Sequence, residues 1–360
     1  MDDVIAAAAA LARGELAVLC SLVESSGSIP MSERAKMLVR SDGSVLGTIG
    51  GGCLEAEILA VAGDVLRSGH AETFSYTMTE KQAGEHGLNC GGTVRIHSER
   101  VDGDAAEMYA EITAARQART SCVLVTELGG SRVLCSPEGL LRGTLGPELD
   151  VAVRPWVMES LAVGRPQLHS IDYGSEAASR EVFVESFTPP PLLYVFGGGH
   201  VGGQIARLAN NVGFHVVVVD DRPYFANADR HPDADECIAD DVDAVFERIP
   251  IDEQTYIVAA TRGHSYDEIV VEHAIRTPAR YVGMLGSERK KLLLWNRIEA
   301  RGGSRTDLDE VYAPVGLNLG ADTPEEIAVC VVGEMIQVRR GNKKTWKTKR
   351  VQTTATGAAA

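Results

Sequence analysis

Short apolar runs bounded by Gly, Pro and Asp alternate along the chain with segments whose apolar positions recur at three- to four-residue intervals. The alanine-rich start, through Glu15, predicts a helix, Leu16 to Val23 a strand, and Ser25 to Pro30 a small-residue loop. Lys36 to Arg40 and Ser44 to Leu46 flank Asp42-Gly43, the strongest short hairpin signal in the chain, and residues 54 to 67 have helical periodicity. Thr93 to His97 alternates as a strand and Ala105 to Ala118 predicts an amphipathic helix. Ser121 to Leu128 and Ser131 to Cys135 predict a hairpin around Gly129-Gly130. Pro147 to Val163 predicts a helix that Pro155 must kink or split, and Glu181 to Ser186 a last strand before Thr188-Pro189-Pro190-Pro191, a stiff linker.

Beyond the linker the alternation becomes regular. Leu192 to Phe196 runs straight into Gly197, Gly198, Gly199, His200 and Gly202, with glycines in a G-x-G-x-x-G spacing, and then into Ile205, Ala206, Leu208 and Ala209 at helical intervals. A second apolar run, Phe214 to Val219, ends in Asp220, Asp221 and Arg222, which puts an acid at the tip of the next strand, where a ribose hydroxyl is read. Further units follow: a strand at Asp235 to Ala239, a helix at Asp240 to Phe246, and a strand at Thr255 to Ala260 before a helix through Arg276. A strand at Arg280 to Leu285 then precedes the helix Glu288 to Arg301. Thr323, Pro324 and Glu326 spell a capping box for a helix to about Val338. The expected fold class is α/β, a C-terminal Rossmann-like parallel sheet domain with an N-terminal α+β domain. The predicted divisions are residues 1–187, a linker at 188–191, the Rossmann-like domain at 192–338 and a basic tail at 339–360.

Composition narrows the class. A chain of 360 residues with 44% hydrophobic residues has material for two cores, and a net charge of −15 argues against a body that binds nucleic acid. Arg339 to Arg350 holds seven Lys and Arg and no acid, a solvated tail expected to be disordered. No stretch suits a membrane span, and seven cysteines without a Cys-x-x-Cys pair suggest free thiols in a cytoplasmic protein.

Two glycine-flanked cysteines stand out. Gly50-Gly51-Gly52 precedes Cys53 at a strand-to-helix junction, where backbone amides and the helix dipole favour an anion and a thiolate; the plain alternative is a small buried residue. Cys90 lies before Gly91 and Gly92, with Glu85 and His86 nearby as exposed loop residues or as acid and base partners. Cys20, Cys122, Cys135, Cys237 and Cys330 sit in or beside apolar runs as core filler. In the second half Thr261, His264, Asp267, Gly286, Ser287 and Lys290 fall after strand ends, where α/β sheets bind ligands, although Asp267 and Ser287 also stand where helix caps belong.

Together these stretches resemble one family, the XdhC accessory proteins of xanthine dehydrogenase, related to the CoxI and CoxF proteins of carbon monoxide dehydrogenase clusters. The resemblance rests on Gly27-Ser28-Ile29-Pro30, Ala35 to Leu38, Gly47 to Glu55, Cys90-Gly91-Gly92, Phe196 to Gly202, Val219 to Pro223, Thr261 with His264 and Asp267, Gly283 to Lys291, and Pro314 to Ala328. It implies a protein that binds molybdenum cofactor, as molybdopterin or its dinucleotide form, and protects it during sulfuration by a cysteine desulfurase. Delivery to a xanthine dehydrogenase-type molybdenum hydroxylase would follow, with Cys53 and Cys90 as molybdenum contacts. One departure is Met31 where the family has a basic residue, with Arg34 in place of a glycine, so an anion contact is expected to be lost or moved to Arg34. The cofactor is expected with its phosphate on the glycine turn and its metal toward a cysteine, in a homodimer. Two other classes stay open: an NAD(P)-dependent oxidoreductase with His264 as its acid, and a non-catalytic dinucleotide or redox sensor.

Overall fold

The computed structural model describes residues 2–11, 14–29, 31–78, 92–172 and 179–341. The basic tail therefore lies almost wholly outside the described residues. The chain divides into two units, Met1–Pro189 and Pro190–Ala360.

The first unit opens with α1 (Asp2–Ala9) and a five-stranded antiparallel sheet of β1 (Ala17–Ser26), β2 (Lys36–Arg40), β3 (Val45–Thr48), β4 (Glu72–Thr77) and β5 (Thr93–Val101), in the order β3-β2-β1-β5-β4. Helix α2 (Cys53–Ser68) covers one face of it through Leu54, Ile58, Val61 and Val65. After α3 (Gly103–Gln117) come β6 (Cys122–Glu127), β7 (Arg132–Ser136), β8 (Gly139–Gly143), β9 (Gln167–Asp172) and β10 (Ser179–Phe187), in the order β8-β7-β6-β10-β9. Helices α4 (Pro147–Ala152) and α5 (Arg154–Val163) cover this second sheet. The expected single helix is split at Val153, so that Pro155 falls in the first turn of α5, where its missing N–H costs nothing.

The second order is the first with five added to each strand number. The unit is two copies of one α-βββ-α-ββ fold, and the copies share sequence where the backbone is most constrained. Lys36 to Gly50 and Arg132 to Gly146 have equal length and agree at Leu38/Leu134, Gly43/Gly139, Gly47/Gly143, Thr48/Thr144 and Gly50/Gly146. Gly47 and Gly143 have φ 82° and 76°, and a Cβ there would lie 2.4 and 2.3 Å from the Lys36 and Arg132 carbonyl oxygens. The hydrophobic pattern predicted the two hairpins without revealing that they are the same hairpin. It also missed β4, β8 and β9, short strands with no fully buried residue and two apolar residues each, too few to stand out from the loops around them. All three are edge strands, held by ladder bonds to one neighbour.

Between the copies lies one core: Leu19, Leu38 and Val101 of the first, Leu124, Leu134 and Phe187 of the second, with α1 and α3. Four charged side chains cross it. Lys36 Nζ lies 2.8 Å from Glu185 Oε2 and Arg132 Nη2 lies 2.8 Å from Glu99 Oε2.

The second unit is a parallel sheet of β11 (Leu192–Phe196), β12 (His215–Asp220), β13 (Glu236–Ala239), β14 (Thr255–Ala259) and β15 (Tyr281–Met284), in the order β13-β12-β11-β14-β15. In chain order this is 3-2-1-4-5, the Rossmann arrangement. Its helices are α6 (His200–Asn211), α7 (Val242–Phe246), α8 (His264–Ala274), α9 (Glu288–Ala300), α10 (Arg305–Glu310) and α11 (Pro324–Arg339). The strands β11 and β14 are buried along their whole length because helices pack on both faces, which is why they read as unbroken apolar runs. The capping box is formed: Thr323 Oγ1 accepts from Glu326 N, and Glu326 Oε2 accepts from Thr323 N. No described helix is long and apolar enough to cross a membrane.

Candidate functional site

In the second unit the glycine turn joins β11 to α6 at the carboxyl end of the sheet. Parallel pairing sets Phe196 opposite Val219 and Ala259, so Gly197, Asp220 and Ala260 lie at one level. Gly202 lets α6 approach the strand: a Cβ there would stand 1.8 Å from the Gly197 carbonyl oxygen. Gly199, the N-cap of α6, has ordinary extended backbone and open space around a would-be Cβ. No side chain caps the helix, and its start, with Gly199 and His200, lines a groove edged by Arg230 and Pro324.

The acids at the tip of β12 are already engaged. Asp220, 7% exposed, accepts from the Gly198 amide at 3.0 Å and from Arg222 through its amide at 3.1 Å, Nε at 2.8 Å and Nη2 at 3.0 Å. Burial pushes its carboxyl up, and these donors outweigh it, holding the pKa below the usual value. Asp221 Oδ2 accepts from Arg262 Nη2 at 2.8 Å and from the Tyr266 hydroxyl at 3.2 Å. Arg230 donates to the Gly198 carbonyl oxygen at 3.1 Å, and His231 packs behind the turn with Nε2 2.8 Å from the Phe225 carbonyl oxygen. Neither Arg230 nor His231 was legible from sequence, since both lie in an irregular loop with no motif around them.

Thr261, Asp267 and Lys290 form one internal network. Asp267 is fully buried; its Oδ1 accepts from the Thr261 amide at 3.0 Å and hydroxyl at 2.8 Å, and its Oδ2 meets Lys290 Nζ. The network ties the β14–α8 loop to the start of α9, beside Gly286, which packs on the Lys290 stem. Asp267 is not an N-cap: α8 starts at His264, after Gly263. Ser287 is one, accepting from Lys290 N at 3.2 Å.

In the first unit Cys53 opens α2 and is exposed, whereas Cys20, Cys122, Cys135 and Cys330 are buried and Cys237 half-buried. Burial pushes the Cys20 thiol up to about 12. Gly52 is the N-cap with no side-chain bond, and a Cβ at Gly51 or Gly52 would meet open space. The neighbouring Thr48 hydroxyl lies 2.5 Å from both Glu55 Oε1 and the Gly50 carbonyl oxygen. Cys90 and Gly91, with Glu85 and His86, lie outside the described residues; Gly92 lies within them, against Ile29 and the Ser26 and Ser28 carbonyl oxygens. The loop through residues 26–29 thus backs Gly92, and Met31 just beyond it reaches Gly50. Arg34, in the position where an anion contact was expected, donates to the carbonyl oxygen of Gly164, the C-cap of α5 in the second copy. No cluster of three or more His, Cys, Asp or Glu able to hold a metal ion occurs among the described residues.

Comparison with known proteins gives this geometry a family. The profile of the XdhC and CoxI family matches residues 10–77, and that of the XdhC Rossmann domain matches residues 193–335. The chain belongs to the XdhC and CoxI family. Among its relatives is a Bacillus subtilis protein named as a probable xanthine dehydrogenase component, 27% identical over 91% of this chain and 94% of that one. The molybdenum cofactor insertion chaperone PaoD of Escherichia coli is 25% identical over 92% of this chain and 86% of its own. A crystal structure described as a xanthine dehydrogenase from Bacillus halodurans superposes with a TM-score of 0.77 at 26% identity, covering 95% of this chain and 96% of that one. The XdhC profile over residues 193–335 spans the glycine turn, the β12 acids and the Thr261–Asp267–Lys290 network. The XdhC and CoxI profile spans Gly50 to Cys53 and stops short of Cys90.

Proposed function

We propose that this chain is an accessory protein of a xanthine dehydrogenase-type molybdenum hydroxylase: it binds molybdenum cofactor, shields it during sulfuration by a cysteine desulfurase, and delivers it to the enzyme. Membership of the XdhC and CoxI family supports the accessory role, and the relative named as a molybdenum cofactor insertion chaperone supports the cargo. The observation that carries the reading is the junction at Cys53. An exposed thiol stands at an uncapped helix start, beside two glycines whose missing Cβ atoms leave the backbone open.

The residues suit the cargo. Molybdenum cofactor supplies a thiophilic metal held by its own dithiolene, a flat pterin and a terminal phosphate, so the protein needs few metal ligands of its own. Cys53 would offer soft sulfur to the metal, with Cys90 as the second thiol. The amides after Gly199 and beside His200 would take the phosphate, since a helix start favours an anion. Asp267 with Lys290, and Ser287 as a cap, hold the loops around the turn rather than reach toward a ligand.

The test is elemental analysis for molybdenum, with mass spectrometry of released pterin, on protein purified from a molybdate-fed host. Near-stoichiometric molybdenum and pterin are expected, with loss in Cys53→Ala or Cys90→Ala and co-elution with a cysteine desulfurase. Protein that carries neither, from cells that make the cofactor, would sink the reading. Sedimentation checks the expected homodimer.

A further inference from the structure

We infer that Arg222 occupies the ribose position of the second unit's glycine turn and excludes nicotinamide adenine dinucleotides from it. The inference stands on the Rossmann unit alone and does not rest on the cofactor reading above.

In sheets of this strand order, the acid at the tip of the second strand reads the ribose hydroxyls of a dinucleotide and the glycine-turn amides approach its pyrophosphate. Here the acid is spent on Arg222 and on one amide of the turn, that of Gly198. A carboxylate offers about four acceptor positions. Asp220 fills them from within the chain: Oδ1 takes the Arg222 amide and Nε, and Oδ2 takes the Gly198 amide and Arg222 Nη2. A ribose diol would have to displace a charge-assisted pair whose acid is buried.

The guanidinium is fixed as well as paired. It lies over the Phe225 ring, 3.7 Å from the centroid, with Asp221 Oδ1 3.7 Å from its Nε. On the far side Arg262 and Tyr266 converge on Asp221. The recess left among Phe196, Asp220, Arg222, Thr261 and Tyr266 has a volume of about 20 Å³, room for about one water and not for a nucleoside. An arginine near this strand end can also receive the 2′-phosphate of NADP. Arg222 spends two of its five N–H donors on Asp220, and the Asp221 carboxylate beside it and the small recess oppose a 2′-phosphate there. The G-x-G-x-x-G spacing survives for the fold, because Gly202 is needed for helix packing whatever the turn binds.

The experiment titrates NADH and NADPH into the full-length protein and reads nucleotide fluorescence and the melting temperature. Wild type is expected to show no saturable binding of either up to about 1 mM, and Arg222→Ala to bind NADH at least about tenfold more tightly by freeing Asp220. Where Arg222→Ala loses its circular dichroism spectrum, Arg222→Gln takes its place, since it keeps the stem on the Phe225 ring and drops the charge. Wild-type binding of NADH or NADPH with a Kd below about 100 μM would overturn the inference. So would folded Arg222 variants that remain as blind to NADH as wild type.

Discussion

Lys36 Nζ lies 2.8 Å from Glu185 Oε2 with both side chains nearly fully buried, and the residue that matches Lys36 in the second copy, Arg132, holds the match of Glu185, Glu99, in the first. The equivalence is set by register: Glu99 pairs with Leu19 and Leu19 with Leu38, as Glu185 pairs with Leu124 and Leu124 with Leu134. Each copy therefore lends one base and one acid, and a pseudo-twofold relation carries each across to the other. The Lys36 ammonium also donates to Ser21 Oγ at 3.0 Å.

Breaking one member of such a pair leaves a buried charge without its partner. Lys36→Met is expected to cost about 3 kcal/mol or more, and the double change Lys36→Met with Glu185→Leu to recover most of it. Urea unfolding of the two variants and the wild type checks this; equal losses in single and double variants would mean the pair does not couple.

Glu99 makes the first unit sensitive to acid. Burial would raise its carboxyl, but the Arg132 guanidinium and His97 outweigh burial and hold it at about 2, against 4.5 when unperturbed. Its folded pKa is depressed, so its contribution to stability is present above about pH 4.5 and is lost as pH falls toward about 2. Melting curves between those values should flatten in Glu99→Gln, in which the titrating group is gone.

Gly199 and Gly202 should separate binding from folding. Gly202→Ala drives a methyl group into the Gly197 carbonyl and is expected to destabilise the protein by about 2 kcal/mol or more. Gly199→Ala meets open space and is expected to stay within about 0.5 kcal/mol of wild type while retaining less pterin. Melting temperatures alongside pterin content decide it: a folded Gly199→Ala protein with full pterin would remove the turn from the cofactor site.

Among the described cysteines, Cys53 is the exposed one. Brief iodoacetamide treatment of the native protein should therefore modify Cys53 well before Cys20, Cys122, Cys135 or Cys330, whose burial hinders access. Peptide mass spectrometry reads the order, and bound cofactor should slow modification at Cys53 if the metal sits there.

Much of the fold was legible because its signals are local. The apolar runs Leu192–Phe196 and Thr255–Ala259, the glycine turn, and the capping box at Thr323 each specify an element within a few residues. The Rossmann domain and the family followed from their order. The glycine turn and Cys53 were legible as candidate chemistry for the same reason. What the sequence could not rank was which polar residues face outward. Asp220, Arg222, Asp267 and Lys290 look like ligand residues in one dimension and are bonded to each other in three.

Only tertiary structure could decide that, because a carboxylate's role depends on which donors reach it first, and those arrive from other strand ends. The same holds for the doubled fold of the first unit. Edge strands without a buried residue leave only a faint periodic trace, as Phe74 and Tyr76 do in β4, and a reciprocal ion pair between positions 149 residues apart, as Lys36 and Glu185 are, exists only once register has brought them face to face. The sequence by itself determined the elements, their order and the family; packing determined which charges serve the fold and which surface is left for a ligand.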